Sequence, residues 1–315
     1  MASTRETWSL TEHLLATHQD LYKLATQHPF LLAGAEGRLP KDILSRWLAS
    51  DRLYIHSYIR AAGKLLASID LPQQVFRSQE AFETQLADWL IEALVAVRKE
   101  ERFFIDVADR YDLGIEIAIP LPPASQTAAP SQASAGTATT TATTGSKDGR
   151  PPGLAMMESI FASVGGPAAS SPASESKPPG LSLVQSFLTT TAGPTPPAVL
   201  PWLEGALIFW GTERCYLDAW SWARDKAQNR EQSSASHPED ADGGALRREF
   251  IPNWSSPGFA RFVDKLGGLI DAAVAEALAG KEGEEKDRAK AEILGRVEGK
   301  WKSLLEAERQ FWPHV

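Results

Sequence analysis

Apolar residues recur with the 3.6-residue period of an α-helix through most of this chain, and the two-residue alternation of a half-buried strand is scarce. "SLTEHLLATHQDLYKLATQ" opens with Ser9 and Glu12 at capping-box spacing and then carries Leu14, Leu15, His18, Leu21 and Tyr22 on one side, which predicts a first helix. "HPFLLAGAEGRLP" reads as a connecting loop, and Pro40 suits the first turn of a helix over 40–68. Residues 79–111 keep the period through Phe82, Leu86, Trp89, Leu90, Ala93, Leu94 and Val97. Further helices are expected near 181–191, 199–227, 257–280 and 284–312, the last rich in Glu, Lys and Ala. The expected fold class is all-α, a multi-helical bundle. Neither patterned half has enough helices to close alone, so one domain over 1–315 is expected.

Two breaks interrupt the pattern. After Glu116 the next charged residue is Lys147, and no aromatic residue falls between Tyr111 and Phe161. A tract of that composition buries too little apolar surface to offset its ordering entropy, so 117–180 reads as an inserted, disordered and solvated loop. Within it "GLAMMESIFASVGG" can form a short helix. The second break, "QNREQSSASHPEDADGGALRRE" at 228–249, reads as a polar surface loop.

Three of the expected helices carry an acid inside an apolar or aromatic stripe. In "WLASDRLYIHSYIR", Trp47, Asp51, Tyr54 and Tyr58 fall at i, i+4, i+7 and i+11, and Phe209, Glu213, Tyr216 and Trp220 repeat those offsets. Trp301, Leu305, Glu308 and Trp312 repeat them again. A carboxylate facing a bundle interior must be paired, hydrogen-bonded or protonated, because isolated burial of its charge costs several kcal/mol. If the stripes converge, they form a pocket with aromatic walls and two or three acids, suited to a flat ring bearing amino groups. Edge positions in solvent are the competing reading for each acid alone. Asp51 has Arg52 and His56 as alternative partners, and Arg214 and Asp218 flank Glu213.

Composition narrows the function classes. The net charge is −8, the pI is near 5.4, and no Lys/Arg-rich run provides a phosphate-binding footprint, so nucleic acid is not an expected partner. The single cysteine, Cys215, can form neither an internal disulfide nor a CxxC pair, which fits a reducing, cytoplasmic setting. No apolar run approaches the roughly 18 residues of a membrane span, and "MASTRETWSLTEHL" lacks a signal-peptide apolar region. None of the six histidines follows an Asp or Glu at the three-residue spacing of di-iron bundles, so no metal is expected. His18, on the apolar side of the first helix, reads as a satisfied core histidine before a heme ligand.

The motifs carry a resemblance. "HPFLLAGAEGRLPKDILSRWLASDRLYIHSYIRAAGKLLA" resembles the N-terminal signature of the TenA family, the thiaminase II-type proteins, and "EAERQFW" resembles its terminal E..FW motif. "FWGTERCYLDAWSWAR" is similar to the subgroup with glutamate where typical members carry a catalytic cysteine, and "NWSSPGFARFVDKLGGLID" is similar to the penultimate helix and its loop.

The resemblance implies the heme-oxygenase-like all-α fold, a dimer or tetramer, and a cofactor-free hydrolase of thiamin salvage. The reaction would occur at the aminomethyl carbon of a 4-amino-2-methylpyrimidine, in a thiamin breakdown product or in thiamin itself. Asp51 would hold the pyrimidine's amino group and ring nitrogen, Tyr54 would line the site, and Glu308 would give a proton to the leaving group. Glu213 would stand within one residue of the place of the usual nucleophile, as a general base for water or as a second anchor. Tyr216 and Leu217 both compete for the family's next tyrosine. The family's further tyrosine before this helix has no counterpart in "GLSLVQSFLTTTAG", where Phe187 offers stacking without a hydroxyl. Cys215, two positions from Glu213 and so about 200° around the helix, should face elsewhere. A non-catalytic aminopyrimidine-binding protein on the same fold is the alternative.

Overall fold

The computed structural model describes residues 8–75, 80–116, 151–165, 200–231 and 239–315, and among these there is no strand. Ten α-helices are formed in the described residues, with one π-helical segment. They are α1 (Leu10–Ala16), α2 (Gln19–Thr26), α3 (Pro29–Ala35), α4 (Lys41–Ser68), α5 (Phe82–Tyr111), α6 (Pro152–Ala162), α7 (Leu203–Glu231), α8 (Ile251–Trp254), α9 (Pro257–Ala277) and α10 (Gly283–Phe311). The π segment, Leu246–Phe250, runs directly into α8.

The long helices form where the apolar period is sustained. α4 buries Leu44, Trp47, Leu48, Asp51, Tyr54, Ile55 and Tyr58 on one face. α7 is buried on most sides of its first half, where Leu203, Ala206, Leu207, Ile208, Phe209 and Trp210 each expose 3% or less, and it packs against α2, α3, α8, α9 and α10. It is the central helix of the bundle. α4 packs against α5 and α6, and α9 spans from α7 to α5.

The N-terminal region differs from its sequence pattern. The expected first helix is two helices, broken at Thr17 and at His18, whose φ of 50° is left-handed. Thr17 closes α1 early: its Oγ1 donates to the Leu14 carbonyl at 2.7 Å and its N–H bonds the His13 and Leu14 carbonyls. His18 is consequently exposed at the break instead of facing the core. The HPF stretch is helical rather than a loop, with His28 Nδ1 accepting the Phe30 N–H at 3.2 Å and Pro29 at the first helical position.

Both polar breaks contain built structure. In the inserted tract, residues 151–165 are no solvated linker: α6 buries Leu154, Met157 and Phe161 against α4 and α10. The short helix that "GLAMMESIFASVGG" can form is present, and its apolar residues are outnumbered by the polar stretches around it in the sequence. In the 228–249 segment, Asp240 bridges Arg230 at 3.0 Å and Arg247 at 2.8 Å, with both carboxylate oxygens engaged. Buried Asp242 accepts the N–H groups of Gly244 and Leu246, each at 2.8 Å, which starts the π segment. The acids that made this stretch look solvent-facing are turned inward at these positions.

α6 is seated closely on α10. A Cβ at Gly153 would lie 2.2 Å from the Ala307 carbonyl oxygen and 2.3 Å from the Phe311 nitrogen, both backbone atoms that cannot swing aside. Gly153→Ala is therefore expected to lower stability by about 2–3 kcal/mol or to detach α6. Denaturant unfolding measures the first result, and hydrogen exchange over 151–165 measures the second. Unchanged stability and protection would show that the contact is looser than this.

Candidate functional site

A cavity of about 440 Å³ opens between α4, α5, α7 and the α8–α9 corner. α4 contributes Asp51, Tyr54, Ile55 and Tyr58; α7 contributes Thr212, Glu213 and Tyr216; α5 contributes Ala93, Ala96, Val97, Glu100 and Phe103. Asn253, Trp254, Phe259 and Phe262 complete much of the wall. The helical period explains the convergence, since each acid is one turn from the rings that line the same face.

Five carboxyls meet in or behind this cavity: exposed Glu92 pairs with Lys265 at 2.8 Å, and the other four each accept a hydrogen bond from an aromatic side chain. The Tyr216 hydroxyl donates to Asp51 Oδ1 at 2.8 Å, Tyr58 donates to Glu213 Oε1 at 2.7 Å, and Tyr54 donates to Glu308 Oε1 at 3.0 Å. The Trp254 indole N–H donates to Glu100 Oε1. Among the described residues none of the four is ion-paired with a Lys, Arg or His; the charged partners cluster elsewhere, as in the Glu101 contacts with Arg98, His56 and Arg52.

Held by neutral donors in a low-dielectric site, these acids keep their protons to unusually high pH. Burial pushes Glu308 up to about 8 against the lowering effect of the Tyr54 hydrogen bond. Burial likewise raises Glu213 to about 8, with Glu100 and Glu308 adding repulsion, and raises Glu100 to about 7. Asp51 lies well above the ordinary aspartate range, from burial first and then from the Glu100 and Glu308 charges, opposed by the Tyr216 hydrogen bond. The site can therefore hold proton donors and acceptors side by side near neutral pH.

The cavity wall carries Asp51, Tyr54, Tyr216 and Glu213 together. Tyr216 lines the cavity and its hydroxyl reaches Asp51, while Leu217 is a core residue. Asp51 pairs with neither Arg52 nor His56; Arg52 donates to the Ile115 carbonyl at 2.9 Å and His56 meets Glu101. Glu308 is 1% exposed and is absent from the cavity wall, behind the Tyr54 phenol. Cys215 is buried and absent from the wall. Phe187 lies outside the described residues. Among the rings packed against the site tyrosines are Phe161 of α6, whose centroid is 5.3 Å from Tyr54 and 5.8 Å from Tyr58, and Phe209, 4.7 Å from Tyr58.

Sequence reasoning missed three groups at the site. Tyr58 was visible in the first stripe but carried no role until its partner Glu213 was seen. Trp254 sits on a four-residue helix too short to show a period. Glu100 had a signal: Ala93, Val97, Glu100 and Phe104 stand at the same four offsets as the other stripes. Its place within "RKEER" hid it, because Glu100 and Glu101 differ by one 100° step and only the fold shows which one turns inward.

Behind the wall, rings from the three stripes and from α3 pack into one cluster. Trp47 stacks on Trp312 at 5.7 Å, Phe30 lies 5.3 Å from Trp47, and Trp220 lies 4.6 Å from Trp254. Trp220, Trp254 and Trp312 pack around the Tyr216 ring whose hydroxyl donates to Asp51, the kind of support a precise polar site requires.

No family model matches this sequence. A protein of Fusarium pseudograminearum (strain CS3096) described as a probable transcription factor is 25% identical over 295 residues, covering 86% of this chain. The chain spans about half of that relative, 47% of its length. Two solved structures align over nearly the whole fold. A TenA homologue from P. horikoshii OT3 matches with a TM-score of 0.52 and 14% identity, covering 97% of this chain and 99% of its own. A TenA homologue from Pseudomonas syringae pv. tomato str. DC3000 matches with a TM-score of 0.52 and 9% identity, covering 95% and 91%. At these identities the likeness concerns the fold, and the fold of this chain is the heme-oxygenase-like, all-α arrangement of TenA homologues.

Proposed function

We propose that this chain is a hydrolase of an aminopyrimidine, releasing ammonia from the aminomethyl carbon of a 4-amino-5-aminomethyl-2-methylpyrimidine. The observation that carries the reading is the aromatic-walled cavity in which Asp51 and Glu213 each have one oxygen fixed by a tyrosine and, among the described residues, no cationic partner. Asp51 accepts paired N–H bonds from the amino-bearing edge of the ring, and the aromatic walls pack against its faces.

In this reading Glu213 takes a proton from water as the water oxygen attacks the aminomethyl carbon. The C–N bond breaks and the nitrogen leaves with the bonding pair. A nitrogen that reacts as the neutral amine must gain a proton to depart as ammonia, and that proton comes from Glu308 through Tyr54; a nitrogen already protonated departs as ammonia without it. With Glu308 protonated, the 3.0 Å contact runs in reverse: the carboxyl O–H donates to the phenol oxygen while the phenol donates into the cavity. A buried acid whose proton persists to about pH 8 is suited to this role.

The position of Glu308 behind Tyr54 also favours a second reading, a binding protein that kept the pocket without turnover. Colorimetric ammonia release from the pure protein, with calorimetric binding of the same compound, separates the two. Release above the uncatalysed background supports the hydrolase, saturable binding without release supports the binding protein, and neither result removes the aminopyrimidine reading. The description of the Fusarium relative is not carried over: the match covers 47% of that protein, and a net charge of −8 gives no basic footprint for DNA.

A further inference from the structure

The proposed hydrolysis uses Asp51, Glu213 and Glu308 but leaves Glu100 without a role. Glu100 stands on the cavity wall, fixed through one oxygen by the Trp254 indole N–H, and its second oxygen takes no hydrogen bond from a described residue. The same stretch of wall supplies the rings of Phe103, Trp254, Phe259 and Phe262, while Ala93, Ala96 and Val97 on α5 leave room on the helix face that carries Glu100. Two exposed charged residues also line the cavity: Glu92, which pairs with Lys265 at 2.8 Å, and Lys99, which makes no ion pair with Asp51, Glu100, Glu213 or Glu308 among the described residues.

A fixed carboxylate beside several π faces is the recognition chemistry of an organic cation. The rings attract positive charge by their quadrupoles, and a bound ammonium supplies the charge partner that Glu100 lacks among the described residues. An inorganic ion is a poorer occupant, because among the described residues no three His, Cys, Asp or Glu side chains come together as metal ligands.

We propose that Glu100 is a specificity-determining residue that reads a positive charge on the ligand's side chain, so that the site selects a cationic 5-substituent over a neutral one of equal size. This rests on the aminopyrimidine reading for the identity of the ring, though the cation preference belongs to Glu100 itself.

The test is calorimetric binding at pH 8, where Glu100 is mostly ionised. Two pairs of compounds are compared: the 5-aminomethyl pyrimidine against its 5-hydroxymethyl counterpart, and benzylamine against benzyl alcohol. The amines are protonated at that pH and the alcohols are neutral. Wild-type protein is expected to prefer the aminomethyl pyrimidine by about tenfold or more, a fixed charge-assisted contact being worth that much. Glu100→Gln keeps an acceptor for Trp254 and is expected to reduce the preference below about threefold while leaving hydroxymethyl affinity in place. Glu100→Asp, which keeps the charge, is expected to retain part of it. A wild type that does not discriminate, or a preference unchanged in Glu100→Gln, overturns the proposal. If neither pyrimidine binds but benzylamine is preferred in a Glu100-dependent way, the aminopyrimidine reading fails and the cation site stands. If neither pyrimidine binds and benzylamine and benzyl alcohol are also not distinguished, both fall.

Discussion

Replacing Glu213 or Glu308 by glutamine is expected to lower kcat for ammonia release by about 10²- to 10⁴-fold, with KM changed by less than about threefold. The amide is isosteric and its carbonyl still accepts the Tyr58 or Tyr54 hydroxyl, so the wall geometry survives and only proton transfer is lost. Tyr54→Phe separates two routes. If the proton of Glu308 travels through the phenol, as its place behind Tyr54 requires, removing that hydroxyl should cost nearly as much as removing the carboxyl itself. A small loss in Tyr54→Phe beside a large loss in Glu308→Gln would mean that Glu308 reaches the substrate directly after a rearrangement.

The pH profile gives an independent reading of the same pair. Glu213 must be ionised to act as a base and Glu308 protonated to act as an acid, and burial places both near pH 8. Coupled groups titrate as a pair, so kcat/KM should follow a bell centred near pH 8 whose two limbs belong to the dyad rather than to single residues. Glu308→Gln should leave residual activity that no longer falls on the alkaline side. Normal turnover in both glutamine variants would remove this mechanism.

The acid-in-stripe spacing made Asp51, Glu213 and Glu308 legible before any coordinates, because a helix converts offsets of four and seven into a shared face. The sustained apolar period likewise defined α4, α5, α7, α9 and α10. Position along the radial direction was not legible. Glu213 and Glu308 occupy equivalent stripes, yet one faces the cavity and the other lies behind a phenol, a difference set by how closely each helix packs. Nor could local pattern show the contribution of α6, whose Phe161 meets Tyr54 and Tyr58 from more than 100 positions away. Short elements such as α3, α6 and α8 owe their place to tertiary contacts more than to their own periodicity.

The same carboxyls should make the protein lose stability as pH rises. Glu308 binds its proton up to about pH 8 in the folded state, whereas the unfolded chain releases it near the ordinary glutamate value. Between those values the native state holds the extra proton, so the stabilisation is complete below the unfolded value and is lost as pH climbs through the folded one. At about 1.4 kcal/mol for each pKa unit, Glu308 alone changes stability by on the order of 4 kcal/mol between pH 5 and 9. That is a large fraction of the 5–15 kcal/mol typical of a domain. His28, which burial lowers to about 4, acts in the opposite direction: it favours the folded state increasingly as pH rises towards the ordinary histidine value. The window from pH 7 to 9 lies above the histidine range, and there Glu213 and Glu308 should each remove roughly 1.4 kcal/mol, with a smaller further loss from Glu100. Denaturant melts across that window should show the decline in wild type, and Glu308→Gln should roughly halve it and be the more stable protein at pH 9. A flat wild-type profile would mean that these acids are already ionised near neutrality, and with that the proton donor assigned to Glu308 would be lost. The variant expected to be firmest in alkali is thus one of those expected to be inactive, because the burial that destabilises the fold there is what keeps a proton on Glu308 for the reaction.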